Sequence, residues 1–235
     1  DEQEAAGVCF AEVVYVQKEK LGLKNEAVAK SLYKMGENYA KRGLAKDAIA
    51  SFQDALTIRR KVSGDDSEVV ALTLHRLANA YMVVNEEDKG ILCFKESFRI
   101  RQSNRNEHSA EMAELSFDMA RCYNQSGDYQ QASSHCARAV EAFRQRSRHD
   151  ARLLQSLYLM GVVYDKRGKF GDAAEVISDA IDILGEEGED TKARNAKTKL
   201  LGFLARIYRQ QNDFKKAIDC CVLLNQWNMA VELAE

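Results

Sequence analysis

From Ala29 to Ala40 the apolar and small positions Leu32, Met35, Gly36 and Tyr39 fall three and four residues apart, which places them on one face of a helix. Gly43 supplies a residue at ease with positive φ and ends that helix, and Asp47 or its neighbours begin a second. The second helix carries Ala48, Phe52, Ala55, Ile58 and Val62, again at threes and fours, until Gly64, Asp65, Asp66 and Ser67 break the pattern. The two-helix pattern recurs. A Tyr stands at 39, 81, 123, 164 and 208, in steps of 42, 42, 41 and 44 residues. Three residues before each lies a small residue (Gly36, Ala78, Ala120, Gly161, Ala205), and nine residues after each lies another (Ala48, Gly90, Ala132, Ala173, Ala217). Small residues let paired helices approach closely, while Phe52 and Tyr39 fill the space between units. Periods of this size predict an array in which no unit buries its own apolar face and each stacks on the next.

Composition narrows the function. The chain has 235 residues, 46% of them apolar, enough for a substantial core and too many for a disordered segment. It contains no Pro, which suits near-continuous helix. Its net charge is −2, so no global field favours nucleic acid or an anionic membrane. No apolar run reaches the ~18 residues of a membrane span, and no signal-like stretch opens the chain. The six Cys (Cys9, Cys93, Cys122, Cys136, Cys220, Cys221) show no framework spacing and are expected to be reduced thiols of a cytosolic protein. With no initial Met and a helical pattern at its end, the chain is expected to be a fragment.

The order of a Leu, a small residue, a Tyr, then Ala and Phe resembles the tetratricopeptide repeat, most clearly in "LYKMGENYAKRGLAKDAIASFQDAL" and "LYLMGVVYDKRGKFGDAAEVISDAI". The resemblance runs over residues 6 to 224. Ala6, Phe10 and Val13 lie 42 residues before Ala48, Phe52 and Ala55, so the chain opens with the second helix of a truncated repeat. The family's usual period is 34 residues, and the excess here is expected to lengthen the second helix by about two turns. With "ALTIRRKVSGDDSEVVALTLHRLANAY" across one junction, the longer period is similar to the kinesin light chain variety. The resemblance implies an all-α, right-handed α-solenoid superhelix of eleven to twelve helices. It would be a single array over 1–235: a half repeat over 1–24, full repeats over 25–66, 67–108, 109–149, 150–193 and 194–224, and a capping or next-repeat helix over 225–235. That last stretch carries Trp227, Ala230, Val231, Leu233 and Ala234, and resembles the looser helical repeats of vesicle-coat and intraflagellar-transport subunits.

In this family the first helix of each repeat lines the inner surface. Carried onto this chain, the family's lining positions give a groove of Lys30, Tyr33, Glu37 and Lys41; Leu72, His75, Asn79, Met82 and Val83; Glu114, Phe117, Arg121, Asn124 and Gln125; Gln155, Tyr158, Val162, Asp165 and Lys166; and Lys199, Arg206, Arg209 and Gln210. Tyr33, His75, Asn79, Phe117, Arg121 and Tyr158 are the central expectations, since aromatic and Arg side chains dominate binding energy. Lys199, Arg206 and Arg209 either take an acidic peptide segment or solvate their helix. The chain departs from the kinesin light chain pattern in two ways. Glu26, Glu68 and Ala110 stand where Pro is usual, and Tyr33-Lys34, His75-Arg76 and Phe117-Asp118 replace the paired Asn that help bind cargo. A terminal-carboxylate clamp is not implied either, because Tyr33, His75 and Phe117 stand where cations belong.

Chemistry has little sequence support. His75, His108, His135 and His149 lack partners at metal-ligand spacing, and His135-Cys136 are adjacent and so on different helix faces. Vicinal Cys220-Cys221 suggests a redox or metal pair, but Cys221 occupies the place of Phe52 and is expected to pack as a small hydrophobe. "GKFG" at 168–171 is a turn, "NQS" at 124–126 ends a helix, and Arg144, Arg146, Arg148 and His149 complement a helix dipole. The expected function is a scaffold or adaptor, not an enzyme, binding a protein or peptide partner in the concave groove. Neither cofactor, metal, nucleic acid, membrane insertion nor small-molecule substrate is expected. The expected location is the cytoplasm, with cytoskeletal or ciliary association. Two alternatives are a structural subunit of a ciliary transport or docking complex, and a regulatory sensor domain of a larger protein.

Overall fold

The computed structural model describes residues 2–22, 25–104, 109–147, 150–186, 191–224 and 233. Residues His108, Arg148, His149, Trp227, Ala230, Val231 and Ala234 lie outside this set, and with them most of the last helix anticipated from the sequence. The fold is all-α: eleven helices and no strand among the described residues. In chain order they are α1 (Glu2–Leu21), α2 (Glu26–Lys41), α3 (Ala45–Ser63), α4 (Glu68–Val83), α5 (Glu87–Ser103), α6 (Ala110–Gln125), α7 (Tyr129–Arg146), α8 (Ala151–Lys166), α9 (Phe170–Glu186), α10 (Thr191–Gln210) and α11 (Phe214–Leu223). Two compact units result, Asp1–Leu115 and Ser116–Glu235.

Even-numbered helices are the first of each repeat and odd-numbered ones the second. From α2 to α8 the first helices have 16 residues each, and the second helices from α3 to α9 have 17 to 19. The reversal between them is made at one register position, four residues after each repeated Tyr. Gly43, Asn85, Gly127, Gly168 and Asn212 all have φ between 59° and 80°. Gly takes that left-handed conformation without strain, and Asn is among the few other residues that tolerate it. The next residue then begins the second helix, and where it is Asp (Asp128, Asp213) its carboxylate accepts a hydrogen bond from a first-turn backbone N–H.

Helix pairs close on the small residues the repeat provides. A Cβ at Gly36 would stand 2.7 Å from the Phe52 ring, and one at Gly161 2.6 Å from Ile177 Cδ1, so the paired helices meet there at nearly backbone distance. The first unit's core is built from Val28, Ala29, Leu32, Phe52, Ala55, Leu77 and Tyr81, and the second buries Leu153, Leu157, Ala173, Ile177 and Ile183 in the same register.

Two buried arginines break the apolar pattern. Arg101, with no exposed surface, donates from Nε to Glu68 Oε1 at 3.0 Å and from Nη1 to the Glu111 carbonyl at 2.8 Å. Forty-two residues earlier, Arg59 faces Glu26 Oε1 at 3.5 Å, donates to the Val69 carbonyl at 3.3 Å and Thr73 Oγ1 at 2.7 Å, and lies 4.7 Å over the Tyr33 ring. Each guanidinium therefore ties the acidic start of its own repeat to the first helix of the next. One period further on, Ala110 replaces the Glu and the buried Phe143 replaces the Arg.

Candidate protein-binding groove

The open faces of the even-numbered helices are the candidate site, and each unit presents its own. In the first unit a cleft of about 300 Å³ lies between α2, the start of α3, and α4. Its floor is Ala40, Phe52 and Ala80, and its rim is Glu37, Lys41, Arg76, Asn79 and Val83. Small floor residues follow from the repeat itself, since Ala80 and Ala40 flank the Tyr that packs inward. Arg76 sets the rim's charge, with its Nε 3.9 Å from Glu37 Oε1 and donating to Tyr33 Oη at 3.4 Å. Burial works against its charge, but Tyr33 and Glu37 outweigh that and hold its pKa above the ordinary value, so the rim cation is permanent. Burial pushes the Tyr33 hydroxyl the other way from ionisation, so it stays a neutral partner.

The sequence-expected residues distribute unevenly. Lys30 is exposed at the edge of α2, while Glu37 and Asn79 reach the cleft directly. Tyr33, His75 and Phe117 do not present an open face. They are 5%, 2% and 7% exposed, and pack on Phe52, on Phe94 and beneath Arg152 respectively. One residue later the side chains are less buried, with Lys34 exposed and Arg76 and Asp118 half-buried, because a single residue turns a helix by about 100° and the apolar ring wins the inward side. Arg76 is thus the rim residue that sequence reading passed over, and its signal was its place beside His75 in the position family analogy assigned to the groove. Around α6 in the second unit, Arg121 is exposed and faces Asp118 Oδ1 at 3.5 Å, with Asn124 half-buried and Gln125 exposed. Further along, Tyr158 is 47% exposed, with its ring 5.8 Å from that of Phe203. Asp165 accepts a 2.7 Å hydrogen bond from Arg206, and Lys199 and Arg209 are exposed.

Apart from the exposed Cys9, the cysteine thiols are partly or wholly buried. Cys136 is buried and its thiol is pushed up to about 12 by desolvation, and burial raises Cys93 and Cys220 to about 11, so none is a ready nucleophile. Cys221 is fully buried, as its place in the Phe52 register requires. His135 stacks on Tyr123 at 5.5 Å, and burial, then the nearby Arg138, pull it down to about 4. Arg144, expected only to complement a helix end, also pairs with Asp179 on the next second helix. Among the described residues, no three His, Cys, Asp or Glu side chains converge to hold a metal ion, and no helix is long and apolar enough to cross a membrane.

With the paired helices, the inward Tyr and the helix-faced grooves in place, the class is a helical repeat protein of the kind that binds other proteins. The chain belongs to the tetratricopeptide repeat family, whose pattern matches over residues 27–103, 69–145 and 110–186, with a further repeat over 200–226. Among solved structures it is similar to BtubC (BKLC) from P. vanneervenii, at 19% identity over 98% of this chain and 91% of that one with a TM-score of 0.77. A putative kinesin light chain repeat protein of Podosopora anserina gives 16% identity over 86% and 96%, with a TM-score of 0.74. MamA from Desulfovibrio magneticus RS-1 gives 16% over 88% and 94%, with 0.64. At these identities the likeness is one of fold. No curated protein sequence matches the chain. The family fold is typically a non-enzymatic scaffold for protein partners.

Proposed function

We propose that this chain is a non-catalytic adaptor that seats a partner peptide or helix along the open faces of its first helices, anchored in the cleft between α2 and α4. The observation that carries the reading is the cleft's composition. Its alanine and phenylalanine floor accepts one apolar side chain, while Asn79, Arg76 and Glu37 offer donors and acceptors to the partner's backbone. A concave apolar floor with few convergent polar groups is the usual form of a recognition pocket. Arg121, Asn124 and Gln125 give the second unit a polar face of its own. Tyr33, His75 and Phe117 take part only as buried supports that fix the roll of their helices.

The test is affinity capture from native cytosol with the wild-type chain and with an Asn79→Ala, Val83→Glu variant, both checked for helicity by circular dichroism. Partners captured by the wild type and lost by the variant support the cleft. Partners held equally by both overturn it and move binding to other faces, as expected of a subunit built into a large ciliary or docking assembly. A domain that captures nothing, yet changes the activity of an enzyme fused to it in the natural chain, would instead be a sensor.

A further inference from the structure

The second unit carries a charge anomaly that the cleft does not use. Helix α10 has six basic residues in 20 and no acidic one, in a chain whose net charge is −2, so the remaining residues are together acidic. All six cations are exposed. Lys192, Lys199 and Arg206 are seven residues apart, which aligns them on one stripe at steps of about 10 Å, and Arg209 sits one turn beyond Arg206. The stripe borders aromatic surface: Arg206 lies 4.8 Å over Phe203, and Phe203 meets the exposed ring of Tyr158 on α8. Asp165 fixes the Arg206 guanidinium in place while leaving it more than half exposed. A cation held in orientation beside an exposed ring is preorganised for an incoming carboxylate.

We propose that the α8–α10 face is a second recognition surface, specific for an acidic, extended segment of a protein chain. On a segment in the extended polyproline II conformation, carboxylates three residues apart lie on one face about 9 Å from one another, which is close to the step from Lys199 to Arg206. The segment's intervening side chain lies against Tyr158. A protein segment fits better than a long polyanion, because the cations are confined to one helix, Asp165 stands among them, and the rest of the chain is net negative and repels an extended phosphate backbone. This inference shares with the proposed adaptor role only the premise that first-helix faces bind protein; its residues and its unit are separate from the cleft.

Fluorescence anisotropy of the full chain with a labelled ten-residue peptide carrying Glu at every third position and Ser between, at low salt, tests it. The wild type is expected to bind. A Lys199→Glu, Arg209→Glu variant, altered only at exposed positions, is expected to weaken binding about tenfold or more, and Tyr158→Ala by about threefold. Raising salt to about 0.5 M shortens the screening length to a few ångströms and is expected to abolish the signal. The same peptide with Gln for Glu is expected not to bind. The cleft variant Asn79→Ala, Val83→Glu is expected to bind the acidic peptide like the wild type, which separates this surface from the cleft. No binding of the Glu peptide, binding indifferent to the charge reversal, or tighter binding of a uridine oligonucleotide or of phosphatidylserine vesicles would each overturn the proposal.

Discussion

At single positions, the energetics turn on whether a side chain has anywhere to go. Gly36 meets the buried Phe52 ring, so Gly36→Val is expected to destabilise the chain by about 1–3 kcal/mol through overpacking. Gly202, in mid-α10 with open space around its missing Cβ, is the opposite case, and Gly202→Ala is expected to stabilise by about 0.5–1 kcal/mol. Urea denaturation of the two variants gives both signs in one experiment. His135 links stability to pH. Its folded pKa of about 4 lies below the ordinary 6.5, so the unfolded chain binds the proton more readily. Stability is therefore complete above about pH 6.5 and falls as pH drops towards 4, by an order of about 2–3 kcal/mol. Denaturation midpoints for wild type and His135→Phe should diverge with rising pH over that window, and parallel curves would show that His135 is not the titrating group. The arginine ties give a further asymmetry. Glu68→Ala leaves a fully buried guanidinium without its carboxylate and is expected to cost about 3 kcal/mol, whereas Arg101→Met fills the same space with apolar atoms and is expected to cost less, about 1 kcal/mol. A larger loss from the methionine variant, read by the same denaturation, would refute this account.

Among the helices, the ends are where the sequence had most freedom. Asp128 accepts a hydrogen bond from the Gln131 N–H at 3.1 Å, while the equivalent Leu44 has no side chain able to cap α3. Asp128→Ala is expected to cost about 1 kcal/mol and Leu44→Asp to gain up to about 1 kcal/mol, measured as opposite shifts in Tm. The helices themselves were legible in the sequence because the 3.6-residue apolar rhythm, the small residues at contact points and the turn signal at Gly43 all agree. The groove was legible only in part. Depth depends on how far each helix rolls under its neighbours, and that is decided by contacts such as Tyr33 with Phe52 and Arg59, which lie dozens of residues apart or on other helices. Hence Glu37 and Asn79 line the cleft while Tyr33, His75 and Phe117 are buried. Arg59 and Arg101 were invisible for a different reason: charge at a buried register position contradicts the usual partition, and only the recurrence of Glu 33 residues earlier signals the pairing.

Across the molecule, stability is a sum of repeat and junction terms, and the junctions are of two kinds. In the first unit a guanidinium, a carboxylate from its own repeat and a carbonyl from the next are joined at each junction. From Phe143 onward the same register is filled with apolar atoms. The consequence concerns recombination. A crossover placed between repeats carries each Arg and its Glu together, and the receiving backbone carbonyl is supplied by any helix. A crossover inside a repeat, joining α6 to α5 for instance, would set Arg101 opposite Ala110 and strand its charge in the interior. The arginine ties thus mark where the chain can be cut and rejoined in exchange between copies, and they make the whole repeat, not the helix, the smallest piece that duplication can move.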